Sequence, residues 1–218
     1  PMDLSQFTPS SALVTVIVIA LVPFVGVMVT SFTKIVVVLS LLRNALGLQQ
    51  VPPNVVLNGF ALVLTIYVMY PVGLQMADKV AQVPQAGTGS TDSLLRAADA
   101  AKEPLREFLI RHSSPREREF FLATLRRGLE PARAAALSER DLIVVVPAFV
   151  VSELALAFQI GFLIFLPFLI IDLVVSNILM ALGMMMLSPT TVSLPFKLLL
   201  FVMVDGWVKL SHGLVLSY

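Results

Sequence analysis

The residues of this chain that could do chemistry are few. The 218 residues include two histidines, His112 and His212, and no cysteine. The absence of cysteine excludes disulfide scaffolds, iron–sulfur clusters, cysteine zinc sites and thiol nucleophiles. The histidines lie far apart with no carboxylate at ligand spacing, so no metal site is predicted. None of the motifs H-E-x-x-H, G-x-S-x-G, G-x-x-x-x-G-K-[ST] or G-x-G-x-x-G occurs, so neither an enzyme nor a bound cofactor is predicted.

A second group of reactive residues consists of charges inside long apolar stretches. Such charges are costly and are normally paired or functional. If the last two helices form a hairpin that turns near residues 190–191, Asp172 lies level with Lys209, whereas Lys197 has no acid opposite. We therefore predict an intrachain pair between Asp172 and Lys209, with Glu153 and Lys197 finding partners across a subunit boundary. The alternative is that these charges lie at helix ends in water. The group comprises Glu153, Asp172, Lys197 and Asp205.

Three consecutive methionines, Met184, Met185 and Met186, stand at a predicted helix end just before a loop. Unbranched, polarizable thioethers can seal an opening and still repack around many different sequences. In several copies around an axis, they would form a deformable ring. The alternative is that they fill gaps in a core or lie at a lipid surface.

Two further cations, Lys34 and Arg43, lie in the N-terminal apolar region. Lys34 ends the interruption Ser31-Phe32-Thr33-Lys34, and Arg43 stands in the last turn of a predicted helix. Either they anchor the chain at a membrane interface, or they make assembly contacts.

The rest of the chain is far more apolar than a soluble domain. Apolar residues make up 57% and charged residues 13%, and the mean hydropathy is +0.91. Soluble domains have about 45–50% apolar residues and about 25% charged residues. The excess must be buried in lipid, in partner proteins, or in both. A net charge of +1 argues against binding to nucleic acid, which requires a basic patch.

The charges divide the chain into three segments. Residues 78–141 carry 21 of the 29 charged side chains, and residues 1–77 and 142–218 are almost wholly apolar. We predict an N-terminal apolar helical hairpin, a small polar helical insert and C-terminal apolar helices. The predicted fold class is all-α, with two kinked apolar hairpins flanking the insert.

Helix boundaries follow from capping residues and prolines. Gly47 is predicted to end one helix in the left-handed conformation, and Asn54, after Pro52-Pro53, to cap the next. In the insert, Ser114-Pro115-Arg116-Glu117 is typical of a helix start. No small-x-small cleavage site follows the first apolar segment, so we expect that segment to be retained.

The C-terminal segment is predicted to contain three helices. Residues 142–187 are long enough for two apolar helices, kinked at Pro147 and Pro167. A loop at 188–193 and a last helix from about residue 194 follow.

These interruptions make the apolar stretches unusual as membrane spans. A helix broken within lipid exposes backbone groups that only neighbouring protein can satisfy. The sequence therefore favours helices packed on other helices, including those of other subunits. A second hypothesis is a secondary transporter in which Glu153 and Asp172 relay protons. Balanced charges in the long insert give no prediction of membrane orientation.

In both apolar segments, the chain resembles the FliP/SctR family, core export-apparatus proteins of bacterial type III secretion systems, and the injectisome branch more than the flagellar one. The resemblance covers nearly the whole chain except the insert. The motifs that carry it are Ser31-Phe32-Thr33-Lys34, Leu42-Arg43-Asn44-Ala45-Leu46-Gly47, Pro52-Pro53-Asn54, Pro147-Ala148-Phe149-Val150-Val151-Ser152-Glu153-Leu154, Phe158-Gln159-Ile160-Gly161-Phe162, Pro167-Phe168-Leu169-Ile170-Ile171-Asp172, Met184-Met185-Met186-Leu187-Ser188-Pro189, Leu194-Pro195-Phe196-Lys197 and Asp205-Gly206-Trp207.

The resemblance implies a pore-forming subunit of an export gate that conducts unfolded proteins across the bacterial inner membrane. It implies a helical ring of five copies with SctS/FliQ-like and SctT/FliR-like proteins, an SctU/FlhB-like switch protein and surrounding secretion rings as further partners. This ring and its partner subunits would form a cone that lies largely on the periplasmic side of the membrane. By the same resemblance, Met184–Met186 close the channel, and the buried charges serve packing between subunits.

Overall fold

The computed structural model describes residues 9–83 and 91–218, and every regular element in these two ranges is an α-helix, as predicted. The helices of these ranges are α1 (Pro9–Met28), α2 (Phe32–Ala45), α3 (Asn54–Ala81), α4 (Thr91–His112), α5 (Pro115–Gly128), α6 (Pro131–Ala136), α7 (Leu142–Ala181), α8 (Pro189–Met203) and α9 (Gly206–Leu216).

Helix α2 lies at the centre of the packing. It contacts Leu57 and Ala61 of α3 on one side and Ala157 of α7 on another. Each large apolar side chain buried in this way contributes about 1.5–3 kcal/mol relative to exposure. Its fully buried apolar residues recur at helical spacing: Ile35, Val38, Leu39 and Leu42.

Helices α2 and α7 approach closely at Gly161. A Cβ atom placed there would lie 2.2 Å from Leu41 Cδ1 and 3.1 Å from Leu41 Cβ. Only a residue without a side chain therefore allows this helix separation. By contrast, a Cβ at Gly59 of α3 would meet nothing within 4 Å.

The apolar stretch after the insert forms one helix where the sequence predicted two. Helix α7 runs unbroken through 40 residues, with Pro147 and Pro167 inside it. Each proline removes one backbone hydrogen bond, and the loss of two bonds does not end a helix whose first half is packed on three others. At 1.5 Å per residue, α7 is about 60 Å long, about twice the hydrocarbon thickness of a bilayer.

The loop after α7 lies earlier than predicted. It covers residues 182–188 instead of 188–193, because Gly183, with a φ of 70°, ends α7. Pro189 then occupies the first position of α8, where its missing N–H and fixed φ are favourable. The predicted last helix is also two helices, α8 and α9, bent by 60°. Asp205 forms the bend in the left-handed region, with a φ of 53°.

The polar insert is folded against the apolar helices. Phe108 and Leu109 of α4 are buried with Val145 and Phe149 of α7. The predicted helix start at Ser114–Glu117 is confirmed, since α5 begins at Pro115. The backbone N–H of Ser114 donates a hydrogen bond of 2.8 Å to Ser152 Oγ on α7, which fixes the α4–α5 turn on the apolar core.

Two of the described helices, α3 and α7, are long and apolar enough to cross a membrane, and a third span results if the bent pair α8–α9 counts as one. Both single helices are largely uncovered by the rest of the chain. Their exposed faces therefore need lipid or partner protein.

The close approach at Gly161 gives a test of the packing. Gly161→Val should destabilise the protein by about 1–3 kcal/mol, because the added side chain overpacks the α2–α7 contact. In detergent, this corresponds to a thermal midpoint lower by about 2–4 °C per kcal/mol. Gly59→Val is the matched control and should leave the midpoint nearly unchanged. Equal midpoints for the two variants would contradict the close contact.

Candidate functional site

A buried ion pair joins α2 to α7. Lys34 Nζ lies 3.3 Å from Glu153 Oε1, and the two residues are 1% and 0% exposed. Burial lowers the pKa of Lys34, and the attraction of Glu153 opposes that shift. Both side chains are almost wholly buried, so each charge depends on the other.

The aromatic ring of Tyr218 completes this pair. Lys34 Nζ lies 3.5 Å from the ring centroid, a cation–π contact. The hydroxyl of Tyr218 donates to Glu153 Oε2. We call Lys34, Glu153 and Tyr218 the buried-pair cluster. Tyr218 is not predictable as a site residue from the sequence, since it carries no charge and belongs to no motif; an aromatic residue after a helix gives no signal of its partners.

The prediction that Glu153 pairs across a subunit boundary is wrong for its ion pair. Its partner, Lys34, lies 119 positions earlier in the same chain. Because Lys34 is almost wholly buried, it is also not an anchor at a membrane interface. The sequence could not reveal that α2 lies beside α7, since no local pattern encodes which distant helices become neighbours.

A second ion pair joins α7 to α8. Lys197 Nζ lies 2.6 Å from Asp172 Oδ2, and the hydroxyl of Ser193 donates to Asp172 Oδ1. The side chain of Lys197 is 4% exposed and that of Asp172 is 23% exposed. The pair and the serine hold the two arms of the α7–α8 hairpin together.

The predicted Asp172–Lys209 pair is therefore wrong, as is the prediction that Lys197 pairs only across a subunit boundary. The hairpin turns at residues 182–188, so Asp172 and Lys197 lie at nearly equal distances from the turn. Lys209 lies beyond the bend at Asp205, on α9. Both Asp205 and Lys209 are exposed, and neither makes an ion pair within the described residues.

Arg43 braces the connection between α2 and α3. Its Nη1 donates to Asn54 Oδ1 at 2.6 Å and to the carbonyl of Pro52 at 3.3 Å. Asn54, predicted as a helix cap, instead is the first residue of α3 and accepts from Arg43. The predicted left-handed glycine is confirmed, because Gly47 has a φ of 77°.

The three methionines project from the tip of the α7–α8 hairpin. Met184 is 47% exposed, Met185 82% and Met186 99%. We call Met184–Met186 the methionine tip. Exposed apolar side chains in such number favour contact with another apolar surface. The gap-filling alternative does not hold within one chain, because the tip fills no gap in its core.

Metal chemistry has no support in the described residues, since no three of their His, Asp and Glu side chains form a cluster that could hold an ion. The two ion pairs described above serve packing, since they hold α2 on α7 and α7 on α8.

The buried pair gives a stability test. Glu153→Leu should cost about 3–5 kcal/mol, because it leaves Lys34 charged and buried without a partner. Adding Lys34→Met should recover most of that loss, since replacing both partners by apolar groups of similar size is close to neutral. The control is Arg140→Ala, which removes exposed ion pairs to Glu103 and Glu107 and should change little. Thermal midpoints in detergent measure all three, and a double variant no better than Glu153→Leu would refute the pairing.

The second pair gives a charge-exchange test. Asp172→Lys should destabilise the hairpin by an amount at the lower end of about 3–5 kcal/mol, because Asp172 is partly exposed. Lys197→Asp should rescue it by restoring opposite charges, whereas Lys209→Asp should not. Rescue by Lys209→Asp, measured by the same midpoints, would overturn the pairing described here.

Comparison with known proteins identifies the family. The model of the FliP family matches residues 14–214. The chain is 50% identical over 210 residues to "Hypersensitivity response secretion protein HrcR" of Ralstonia nicotianae, covering 96% of this chain and 97% of that protein. It is 50% identical over 200 residues to "Yop proteins translocation protein R" of Yersinia pestis, with 92% of each chain covered.

A third relative is "Virulence protein YscR" of Salmonella typhimurium, 45% identical over 204 residues, with 92% of each chain covered. The matches span both apolar segments and the insert between them. The chain therefore belongs to the FliP family, as a non-enzymatic membrane component of a type III protein secretion apparatus similar to HrcR and YscR.

Proposed function

We propose that this protein is the channel-forming subunit of a type III export gate, and that its methionine tip closes the channel. Copies of the chain, five by the family resemblance, assemble into a helical ring through which unfolded proteins cross the bacterial inner membrane. The observation that carries the proposal is the methionine tip: three adjacent, exposed thioether side chains on a hairpin fixed by an ion pair.

The chemistry of the tip suits closure. An aliphatic thioether is flexible and polarizable, so it fills irregular gaps and yields to different neighbours. The tip is apolar and therefore gains by meeting other copies of itself across an axis. Behind it, the Asp172–Lys197 pair and Ser193 hold the two helices in register, so the soft residues stand on a firm support.

Assembly with other proteins is supported by the position of α4. Pro104, Glu107 and Arg111 of α4 line the same cavity as Tyr67 and Gln75 of α3. The charged insert thus lies along the second half of α3, which lipid cannot cover there. The part of α3 that the insert leaves uncovered, from Asn54 to Ile66, is about 20 Å long, well short of the roughly 30 Å of hydrocarbon.

The exposed apolar side chains on this short part of α3 need a protein surface to cover them. Among them are Val55, Val63 and Ile66, which are 82%, 63% and 61% exposed. In the proposed ring, neighbouring copies and SctS/FliQ-like and SctT/FliR-like subunits cover them. The cone so formed lies largely on the periplasmic side of the inner membrane, with an SctU/FlhB-like protein and secretion rings around it.

The two ion pairs argue against the alternative function of a secondary transporter. Its proton relay requires Glu153 and Asp172 to gain and lose protons on a path to water. Each carboxylate instead holds a lysine, and Glu153 is wholly buried. Removing either charge would leave a buried lysine without a partner, which is costly.

The closure is tested by substituting the methionine tip. Alanine at Met184, Met185 and Met186 should leave assembly intact, because these side chains are exposed in the subunit, but should make the gate leak. The measurement is uptake of ions and small solutes by cells that express only the gate proteins.

Met28→Ala together with Met203→Ala is the matched control, since both methionines are exposed and lie outside the tip. The control should assemble and should not leak. Unchanged permeability in the tip variant, with normal assembly on native gels, would defeat the proposed closure.

A further inference from the structure

Tyr218 joins the buried-pair cluster to the insert through His112. Its main-chain oxygen lies 3.3 Å from His112 Nε2, and the carbonyl oxygen of Phe108 lies 2.8 Å from His112 Nδ1. The rings of His112 and Tyr218 are 5.1 Å apart, and Phe108 lies against both. His112 is the last residue of α4.

Both ring nitrogens of His112 therefore face oxygen atoms that only accept hydrogen bonds. A neutral imidazole carries one N–H, so it can donate to only one of them; the imidazolium carries two and can donate to both. Leaving one nitrogen lone pair against an oxygen lone pair is unfavourable. The geometry matches the protonated ring.

We infer that His112 and Tyr218 form a proton-dependent latch, closed when His112 is protonated, which fastens the insert to the buried-pair cluster. In the closed state, Nε2–H of His112 holds the main chain of Tyr218. That contact keeps the tyrosine ring over Lys34 and its hydroxyl on Glu153. Proton uptake at the end of α4 thus strengthens the contact between α2 and α7.

Solvent protons can reach the latch, because His112 is only half-buried and borders two cavities of about 290 and 490 Å³. Three cations and three acids face these cavities. Two phenols, those of Tyr67 and Tyr218, also line the first. The charged groups are Glu107 and Arg111 of α4, Arg116 and Glu117 of α5, Lys34 of α2 and Glu153 of α7.

The chain provides a matched control, because its only other histidine, His212, lies exposed on α9. The experiment compares thermal midpoints of the detergent-purified protein, with any subunits that co-purify, at about pH 5.5 and about pH 8, the range in which histidine titrates. Fluorescence of Trp207, the single tryptophan, reports unfolding.

The proton adds a hydrogen bond in the folded state, so its stabilisation is present at low pH and lost as the pH rises. The midpoint of the unsubstituted protein should therefore rise on acidification by about 2–4 °C more than that of His112→Gln. His212→Gln should keep the full response. Tyr218→Phe retains the main-chain oxygen, so it should lower the midpoint at both pH values and keep the response; a merely structural role of His112 would give no such pH dependence.

Equal pH responses of His112→Gln and the unsubstituted protein would overturn the latch, as would loss of the response in His212→Gln. If His112→Gln does not fold, nitrogen NMR of the His212→Gln protein observes His112 alone. At about pH 5.5, the latch requires protons on both ring nitrogens and slow exchange of the Nε2 proton. A rapidly exchanging Nε2 proton would also overturn it.

Discussion

The fold depends on the burial of one positive charge in the first turn of an apolar helix, α2. Lys34 is 1% exposed, and a charge so placed is tolerated only with a counter-charge and further polar contacts. Glu153 supplies the first and Tyr218 the second. To bring them together, α7 must lie against α2, and the end of α9 must return to the same place. One side chain thus determines the relative positions of three helices.

Each of the two ion pairs holds a different half of α7 against a neighbouring helix. The Lys34–Glu153 pair holds α2 on the first half of α7, where the insert also packs. The Asp172–Lys197 pair holds α8 on the second half, where Phe168 also packs against the end of α2. Each ion pair therefore adds an electrostatic contact to the apolar packing between its two helices.

Local signals in the sequence predict the structure where one residue type decides the backbone. Gly47 adopts the predicted left-handed conformation, and Pro115 opens a helix. Proline inside α7 misled the prediction, because tertiary packing outweighs two lost hydrogen bonds. The predicted charge pairs are wrong for two other reasons. For Asp172, a turn expected near residue 190 shifts the register of the hairpin by several positions. For Glu153, no sequence pattern indicates a contact with Lys34, which lies 119 residues away. The methionines were identified from sequence, but their exposure required the fold.

The unbroken length of α7 has a mechanical consequence. From Phe168, which is buried against α2, to Ala181 the helix extends about 20 Å at 1.5 Å per residue, with one end seated in the core and the other carrying the loop. A rod of that length acts as a lever arm: a tilt of about 10° at the seated end sweeps the far end through about 3.5 Å. A displacement of that size separates side chains that had been touching, while the contacts at the fulcrum barely shift.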